Sequence, residues 1–344
     1  NNLYKTYCNN IMKIFILIFL LILFNKHTYS NNLFDTLFYD IEFTSENIEG
    51  DKIQAINKIK NKSILSIFKN TLTENDYAEI NKQITDDLIN TFIKNIIIND
   101  EKIVNNKYIS KMRVNFDKKL IIDYFRLNKI PYVEYHPSNF LLIIYEINEL
   151  NNNLFTKNNN HYKFLNENIE NFNLFKIPNL DINDRFILNE EDITSRDLNK
   201  INKFSKKYNS TENIIVIVKN EKEKTNYNLV MISNGNILEK KLILNNNEMD
   251  VFYNKLENET LNLWKQINKI QNETLSLLNC EISYFNMLEL KEIRNNLRNV
   301  SIINNLNIKK LSYKSISYEI HFYGNLKILF KIFELNKLKI NYNN

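Results

Sequence analysis

Apolar side chains recur along this chain with two different periods, and the switches between them mark its elements. Ile53, Ile56 and Ile59 stand at helical spacing, and the stripe runs on to Phe68. Thr73 and Asp76 form a cap for a second helix with the stripe Tyr77, Ile80, Ile84, Leu88 and Phe92. The period then drops to two. Tyr108, Ser110, Met112, Val114 and Phe116 face one way and Lys111, Arg113 and Asn115 the other, which predicts a half-buried strand. Asp117 is placed to cap a short helix carrying Leu120, Ile121, Tyr124 and Phe125, stopped by Pro131. Tyr132–Tyr135 and Phe140–Ile147 read as strands, the second apolar nearly throughout and so buried on both faces. Residues 31–50 show no firm period and read as a loose lead-in.

Asparagine dominates residues 151–160, and the stretch 151–174, with a weak helix at 161–173, is expected to be a linker. Beyond it the order is α-β-β-β-α: a helix at 195–208, strands at 214–218, 227–232 and 237–244, and a helix at 248–270. Asn234-Gly235 between two apolar runs is a strong hairpin signal. The last stretch gives strands at 275–285, 303–310 and 316–323, helices at 288–297 and 326–335, and a closing strand at 338–340. That β-α-β-β-α-β order is ferredoxin-like. The expected fold class is α+β, in consecutive small α/β modules at 31–150, 175–272 and 273–344.

Residues 1–30 read differently. Met12-Lys13 opens an uncharged apolar run, Ile14–Phe24, and Thr28 and Ser30 place small residues before Asn31. This is the pattern of a secretory signal peptide, with Met12 as the start. Eleven residues span only about 17 Å as a helix, too short for a bilayer core. The expected location is periplasmic or secreted, with no stable transmembrane segment after cleavage. Removing the three lysines of that segment takes the net charge from +5 to +2, which weakens any nucleic-acid reading.

The 65 asparagines against two alanines reflect A/T-rich codons more than function. Three isolated glycines build no phosphate loop or dinucleotide fingerprint, and Cys8 and Cys280 make no thiolate metal site or C-x-x-C pair. Cys280 alternates with Leu278 and Ile282 and reads as an apolar strand position. Asp181, Asp184, Glu190, Glu191 and Asp192 could offer oxygen ligands to calcium, but no EF-hand loop is present, and helix caps at Asp192 or Ser195 and a turn at Asp181 explain them more simply. His136 is expected in a turn and His161 in solvent beside the linker, while His321 shares a strand face with Glu319 and Tyr323. Tyr318, Phe322, Tyr323 and Phe330 read as core, and Lys309, Lys310 and Lys314 as a charged turn. The sequence therefore assigns no catalytic, cofactor-binding or metal residues.

Three segments resemble one exported bacterial family, the domain of unknown function 2066. The first is Met112–Asp117, the helix after it, Ile130-Pro131, and Pro137-x-x-x-Leu141-Leu142, with Lys129 and His136 where that family carries Gly and Arg. The second is Ile177-Pro178-x-Leu180-Asp181-x-x-Asp184, with Ser205–Tyr208 leading into Ile214–Val218. The third is the C-terminal unit with Tyr323-Gly324 before its last helix. The resemblance covers roughly residues 50–340 and implies a proteobacterial envelope protein of uncharacterised activity. The middle region is also similar to small α/β modules of envelope assembly proteins. On this basis the expected function is a non-catalytic binding or assembly module whose partner is an envelope protein. The alternatives are an envelope hydrolase built from separated residues such as His136, His321 and the acidic cluster, and a secreted protein of an A/T-rich eukaryotic parasite.

Overall fold

A computed structural model describes residues 33–148, 152–157, 159–168, 172–245, 248–336 and 338. The segment expected to be a signal peptide, residues 1–30, lies outside the described residues. The first module runs β1 (Tyr39–Thr44), α1 (Ile48–Thr71), α2 (Glu74–Gln83), α3 (Asp86–Phe92), β2 (Ile93–Val104), β3 (Lys107–Phe116) and α4 (Lys118–Leu127). Its antiparallel sheet has the order β1-β3-β2. In β3, Tyr108, Ser110, Met112, Val114 and Phe116 are buried as the alternation requires, and α1 buries Ile59, Ile64, Ile67 and Phe68.

Two expectations are corrected here, and one strand gave no sequence signal. The loose lead-in contains β1, where Tyr39, Ile41 and Phe43 alternate with the exposed Asp40, Glu42 and Thr44. The single helix expected from Thr73 to Phe92 divides, because Ile84 is extended and the Thr85 side chain accepts from Leu88 N–H to start a new helix. β2 escapes the period-two rule because register shifts at Ile93/Asn95 and Asn99/Lys102 break its alternation.

The middle module runs β4 (Phe140–Ile147), β5 (Asn152–Leu154), α5 (Asn160–Glu167), β6 (Phe175–Lys176), α6 (Ile182–Ile187), α7 (Glu190–Thr194), α8 (Leu198–Lys207), β7 (Glu212–Asn220), β8 (Lys224–Ser233), β9 (Asn236–Asn245) and α9 (Met249–Asn268). The sheet order is β5-β4-β7-β8-β9, with β6 beside β4. β4 lies parallel to β7 and is buried from Phe140 to Glu146. It therefore belongs to this sheet and not to the first module. The Asn-rich stretch is no linker either: β5 pairs with β4, and α5 sends Tyr162 and Leu165 into the core. The β8–β9 hairpin turns on Asn234-Gly235, both with positive φ, as that dipeptide requires. Tyr132–Tyr135 is not a strand; Tyr132 makes an isolated bridge to Ile270.

The last module runs β10 (Leu275–Ser283), α10 (Met287–Asn299), β11 (Ile303–Leu311), β12 (Ser315–Tyr323) and α11 (Leu326–Leu335), in the antiparallel order β10-β12-β11. These are five of the six ferredoxin-like elements. Of the expected closing strand, Leu338 is in no strand and 339–340 lie outside the described residues. The chain is α+β throughout.

The first and last modules share one strand order, the first and second strands flanking the third, with three helices joining β1 to β2 where one joins β10 to β11. The likeness extends to residues. α4 and α11 are each ten residues long, offset by 208 positions. Asp117 and Asn325 cap them, and Ile121 and Phe125 are buried in one where Leu329 and Phe333 are buried in the other. Both end on Phe-x-Leu-Asn-Lys followed by Ile130 or Leu338. The Ile130 N–H reaches Phe125 O at 2.8 Å, and the Leu338 N–H reaches Phe333 O at 2.9 Å. Asn128 and Asn336 each turn their side-chain amide onto the carbonyl four residues back, at 2.8 Å in both. The two modules thus repeat one strand order and the local details of one helix and its ends.

Candidate functional site

Residues of the first and middle modules form a crevice that gathers polar and aromatic groups. α1 ends at Thr71, whose hydroxyl bonds back to Ile67 O at 2.8 Å, and Thr73 caps α2 two residues later. This tight connection turns Lys69, Asn70, Leu72, Glu74 and Tyr77 toward α9. From α9, Lys255, Asn258, Glu259, Asn262 and Lys265 point back, at the spacing of one helical face. The segment leaving the first module supplies the floor; Val133 N–H is held by Thr71 O at 2.8 Å, which sets Tyr135, His136 and Pro137 between the helices. The enclosed volume is about 530 Å³, within the range of small-molecule and peptide side-chain sites.

Two bonds tie the walls together. Glu74 N–H donates to Asn262 Oδ1 at 3.0 Å, and Lys265 Nζ donates to Lys69 O at 2.5 Å, where its charge suits the carbonyl end of α1. Tyr135 and Trp264 meet edge to face, with centroids 5.3 Å apart. Beneath them, Tyr135 Oη donates to Asn268 Oδ1 at 3.0 Å, and Asn268 Nδ2 donates to Ser233 Oγ at 2.9 Å. This buried network fixes the floor.

The crevice leans positive. Among the described residues neither Lys69, Lys255 nor Lys265 has a carboxylate within 4 Å, whereas Glu259 is already held by Lys240 at 2.6 Å. Lys265 is half-buried; burial first, and then the neighbouring Lys69, pull its ammonium down to about 8. His136, at the exposed rim, is lowered by partial burial and then by Lys265. Glu212 is buried below the floor, and burial raises its carboxyl.

The remaining candidates lie elsewhere. Asp181 caps α6 as a turn former should. Asp184 is fully buried and accepts from Tyr208 Oη, Lys207 Nζ and Leu180 N–H. Glu190 accepts from Tyr145 Oη at 3.0 Å, and Asp192 completes a capping box with Asn189. The caps in this stretch are thus Asn189 and Asp197, not Asp192 and Ser195. Among the described residues no three His, Cys, Asp or Glu groups are placed to hold a metal ion.

His161 is the clearest reversal. It is 2% exposed, among Tyr227, Phe252 and Tyr253, and burial lowers its pKa to about 4. Its position in the first turn of α5 puts it into the core, which a linker reading could not foresee. His321 lies on the open face of the last sheet, its Nε2 3.1 Å from Glu319 Oε1, with Lys309 on the other carboxylate oxygen at 2.7 Å. Those partners hold Glu319 down to about 2, Lys309 contributing most. Tyr318 and Phe322 are core, as expected; Tyr323 is half-buried under the Arg126 guanidinium, 4.7 Å from its ring centroid. Cys280 is half-buried, and burial raises its thiol. The structure thus does not bring His136, His321 and the acidic cluster together.

The crevice residues were not legible as a group, because α1, α9 and the 133–137 segment come from three separate stretches. No family model, curated protein or solved structure matches the chain. No helix among the described residues is long and apolar enough to cross a membrane.

Proposed function

We propose that the chain is an exported, non-catalytic binding module of the cell envelope, of the kind its resemblance to the domain of unknown function 2066 suggests, and that the α1–α9 crevice receives an acidic segment of a protein partner. The observation that carries this reading is the crevice lining. Three lysines without carboxylate partners stand around an edge-to-face Tyr135–Trp264 pair whose positions are fixed by the buried Asn268 network. Lysines at a crevice rim attract a carboxylate-bearing segment and speed its approach, and the rigid aromatic floor offers an anchor for one large side chain.

The test is photo-crosslinking in cells with a probe at Asn258, combined with charge reversal. A discrete adduct in the periplasmic fraction is expected, reduced roughly tenfold by Lys69→Glu with Lys255→Glu. It should return when acidic residues of the captured partner are changed to lysine. Absence of any adduct, or one indifferent to both reversals, refutes the proposal. Recovery of the full-length chain from the cytoplasm alone would refute the exported half of it. A hydrolase reading gains nothing from the geometry, since Asp184, Glu190, Asp192 and His321 are each taken up by structural partners and His136 stands apart at the crevice rim.

A further inference from the structure

Exposed apolar side chains gather at one end of the last module. β10 ends at Ser283 opposite Ser315, so the β10–α10 connection and the β11–β12 turn emerge side by side. Tyr284 N–H donates to Lys314 O at 3.0 Å and its hydroxyl to Ser312 O at 2.9 Å, locking the two loops together. From this joint Phe285, Met287, Leu288 and Tyr313 project with 82%, 71%, 80% and 89% of their surface exposed. Single exposed apolar residues are ordinary; four gathered on two joined loops and the helical turn that follows one of them are not.

The repeated strand order supplies an internal control. In the first module the same two loops are joined by the same bond, Ser45 N–H to Asn106 O at 3.0 Å. There they carry Ser45, Glu46, Asn47, Asn105 and Asn106. The scaffold closes equally well on polar loops, so Phe285 and Tyr313 serve no need of the fold; Met287 and Leu288, in the first turn of α10, stand where α1 has Ile48 and Glu49. Only the strand ends before the turns, Val104 and Leu311, are apolar and exposed in both.

We propose that this tip docks onto an anionic lipid surface. Lys314 Nζ sits 5.8 Å from the ring centroids of both Phe285 and Tyr313, so cation and aromatics present themselves together. Lys310 is exposed beside the turn, and among the described residues neither lysine has a carboxylate within 4 Å. Glu289, in the first turn of α10, accepts from Phe285 N–H at 2.6 Å and so holds the loop. Aromatic and aliphatic tips ringed by lysine suit the headgroup boundary: the apolar ends enter, and the ammonium groups meet phosphate. Two narrow loops form a point, not the groove that a peptide would fill. This reading does not depend on the α1–α9 crevice.

The test uses the full chain carrying Phe285→Trp, read against Trp264, which is buried and gives a constant background. Vesicles contain phosphatidylglycerol and phosphatidylethanolamine, with a fraction brominated high on the acyl chain. Fluorescence at position 285 should shift to the blue and be quenched, whereas Asn106→Trp should remain unquenched. Adding Leu288→Gln and Tyr313→Ser, or Lys310→Glu and Lys314→Glu, should raise the lipid needed by roughly tenfold or more. The reading is local to the substituted residue, so it is independent of the apolar run near the beginning of the chain. Quenching equal at both positions, or none at millimolar lipid, overturns the proposal. So does a concentration-dependent blue shift without lipid, which would make the tip a contact between copies.

Discussion

Asp184 offers the sharpest test of the account, because the same residue serves two incompatible readings. As part of an acidic cluster it is a calcium ligand; in the structure it is a buried tie between α6 and α8. Its carboxylate is fully buried and receives Tyr208 Oη at 2.7 and 2.8 Å, Lys207 Nζ at 2.6 Å and Leu180 N–H at 3.1 Å. Asp184→Ala removes the acceptor of all three donors. Lys207 is exposed and can turn to water, but the buried Tyr208 hydroxyl and Leu180 N–H would lose their acceptor at about 1–3 kcal/mol each, a large share of a total stability of about 5–15 kcal/mol. Asp184→Asn keeps an acceptor for Tyr208 and should cost about 1–3 kcal/mol. Tyr208→Phe removes one donor and should cost about 1–2 kcal/mol, with a coupling of about 1 kcal/mol in a double-mutant cycle with Asp184→Asn. Urea unfolding followed by the single tryptophan, Trp264, measures each. Millimolar calcium should leave every midpoint unchanged. An Asp184→Ala variant within about 1 kcal/mol of the parent, or a calcium-dependent midpoint lost in Asp184→Asn, would falsify the structural assignment.

His161 makes stability depend on pH. Unfolded, it takes up a proton near 6.5; folded, only near 4, because burial disfavours the charged ring. The unfolded state therefore binds the proton first as pH falls. Stability is full above 6.5 and should drop by about 3 kcal/mol on the way to 4. His161→Phe should flatten that slope in urea midpoints taken at pH 7.5 and 5; an unchanged slope would rule the residue out. At the β8–β9 turn, Gly235→Ala should cost about 1 kcal/mol. The cause is strain at φ +75, not space, since the nearest atom to an added Cβ is Lys327 Nζ at 3.4 Å. Thermal unfolding unchanged within error would contradict it. Lys265 loses its proton near 8 in the fold but near 10.5 unfolded, so the parent gains stability as pH rises between those values. Lys265→Met should abolish that gain and raise the His136 pKa in an NMR titration; a His136 titration that does not move would uncouple the pair.

Much of the fold was legible because its signals are local. The alternation in β3 and β12, the Asn234-Gly235 hairpin and the capped stripe of α11 depend on residues close in sequence, and each is present. β1 carried a legible alternation in six residues, too few to stand out beside a polar lead-in. β2 did not, since its bulges put consecutive isoleucines on no single face. The 151–174 stretch failed for another reason. Asparagine composition spoke for a linker, while Tyr162, Leu165 and His161 spoke for a helix with a buried face, and burial prevailed. The crevice was beyond reach because its polarity is set by which lysines lack acids, and that is a matter of tertiary neighbours: Glu259 looks available in sequence until Lys240 is seen to hold it.

The likeness of the first and last modules separates what such a unit needs from what it presents. Two stretches folded alike within one chain agree at a side-chain cap, at two buried positions one helical turn apart, and at an Asn that folds back on its helix end. Those shared features satisfy backbone groups at helix termini and fill the space between helix and sheet, and a unit of this strand order cannot close without equivalents. The modules disagree at the loops and the open sheet faces. One tip is polar where the other shows Phe285, Met287, Leu288 and Tyr313. One open face carries Asp40, Lys111 and Arg113, and the other joins Glu319 to Lys309 and His321. Neither set of differences is required by the strand order the two modules share. A chimera tests this directly: placing Ser45–Asn47 in the β10–α10 connection and Asn105-Asn106 in the β11–β12 turn should leave thermal stability near that of the parent while removing the lipid response of the tip. A chimera that fails to fold would mean the apolar residues belong to the architecture after all.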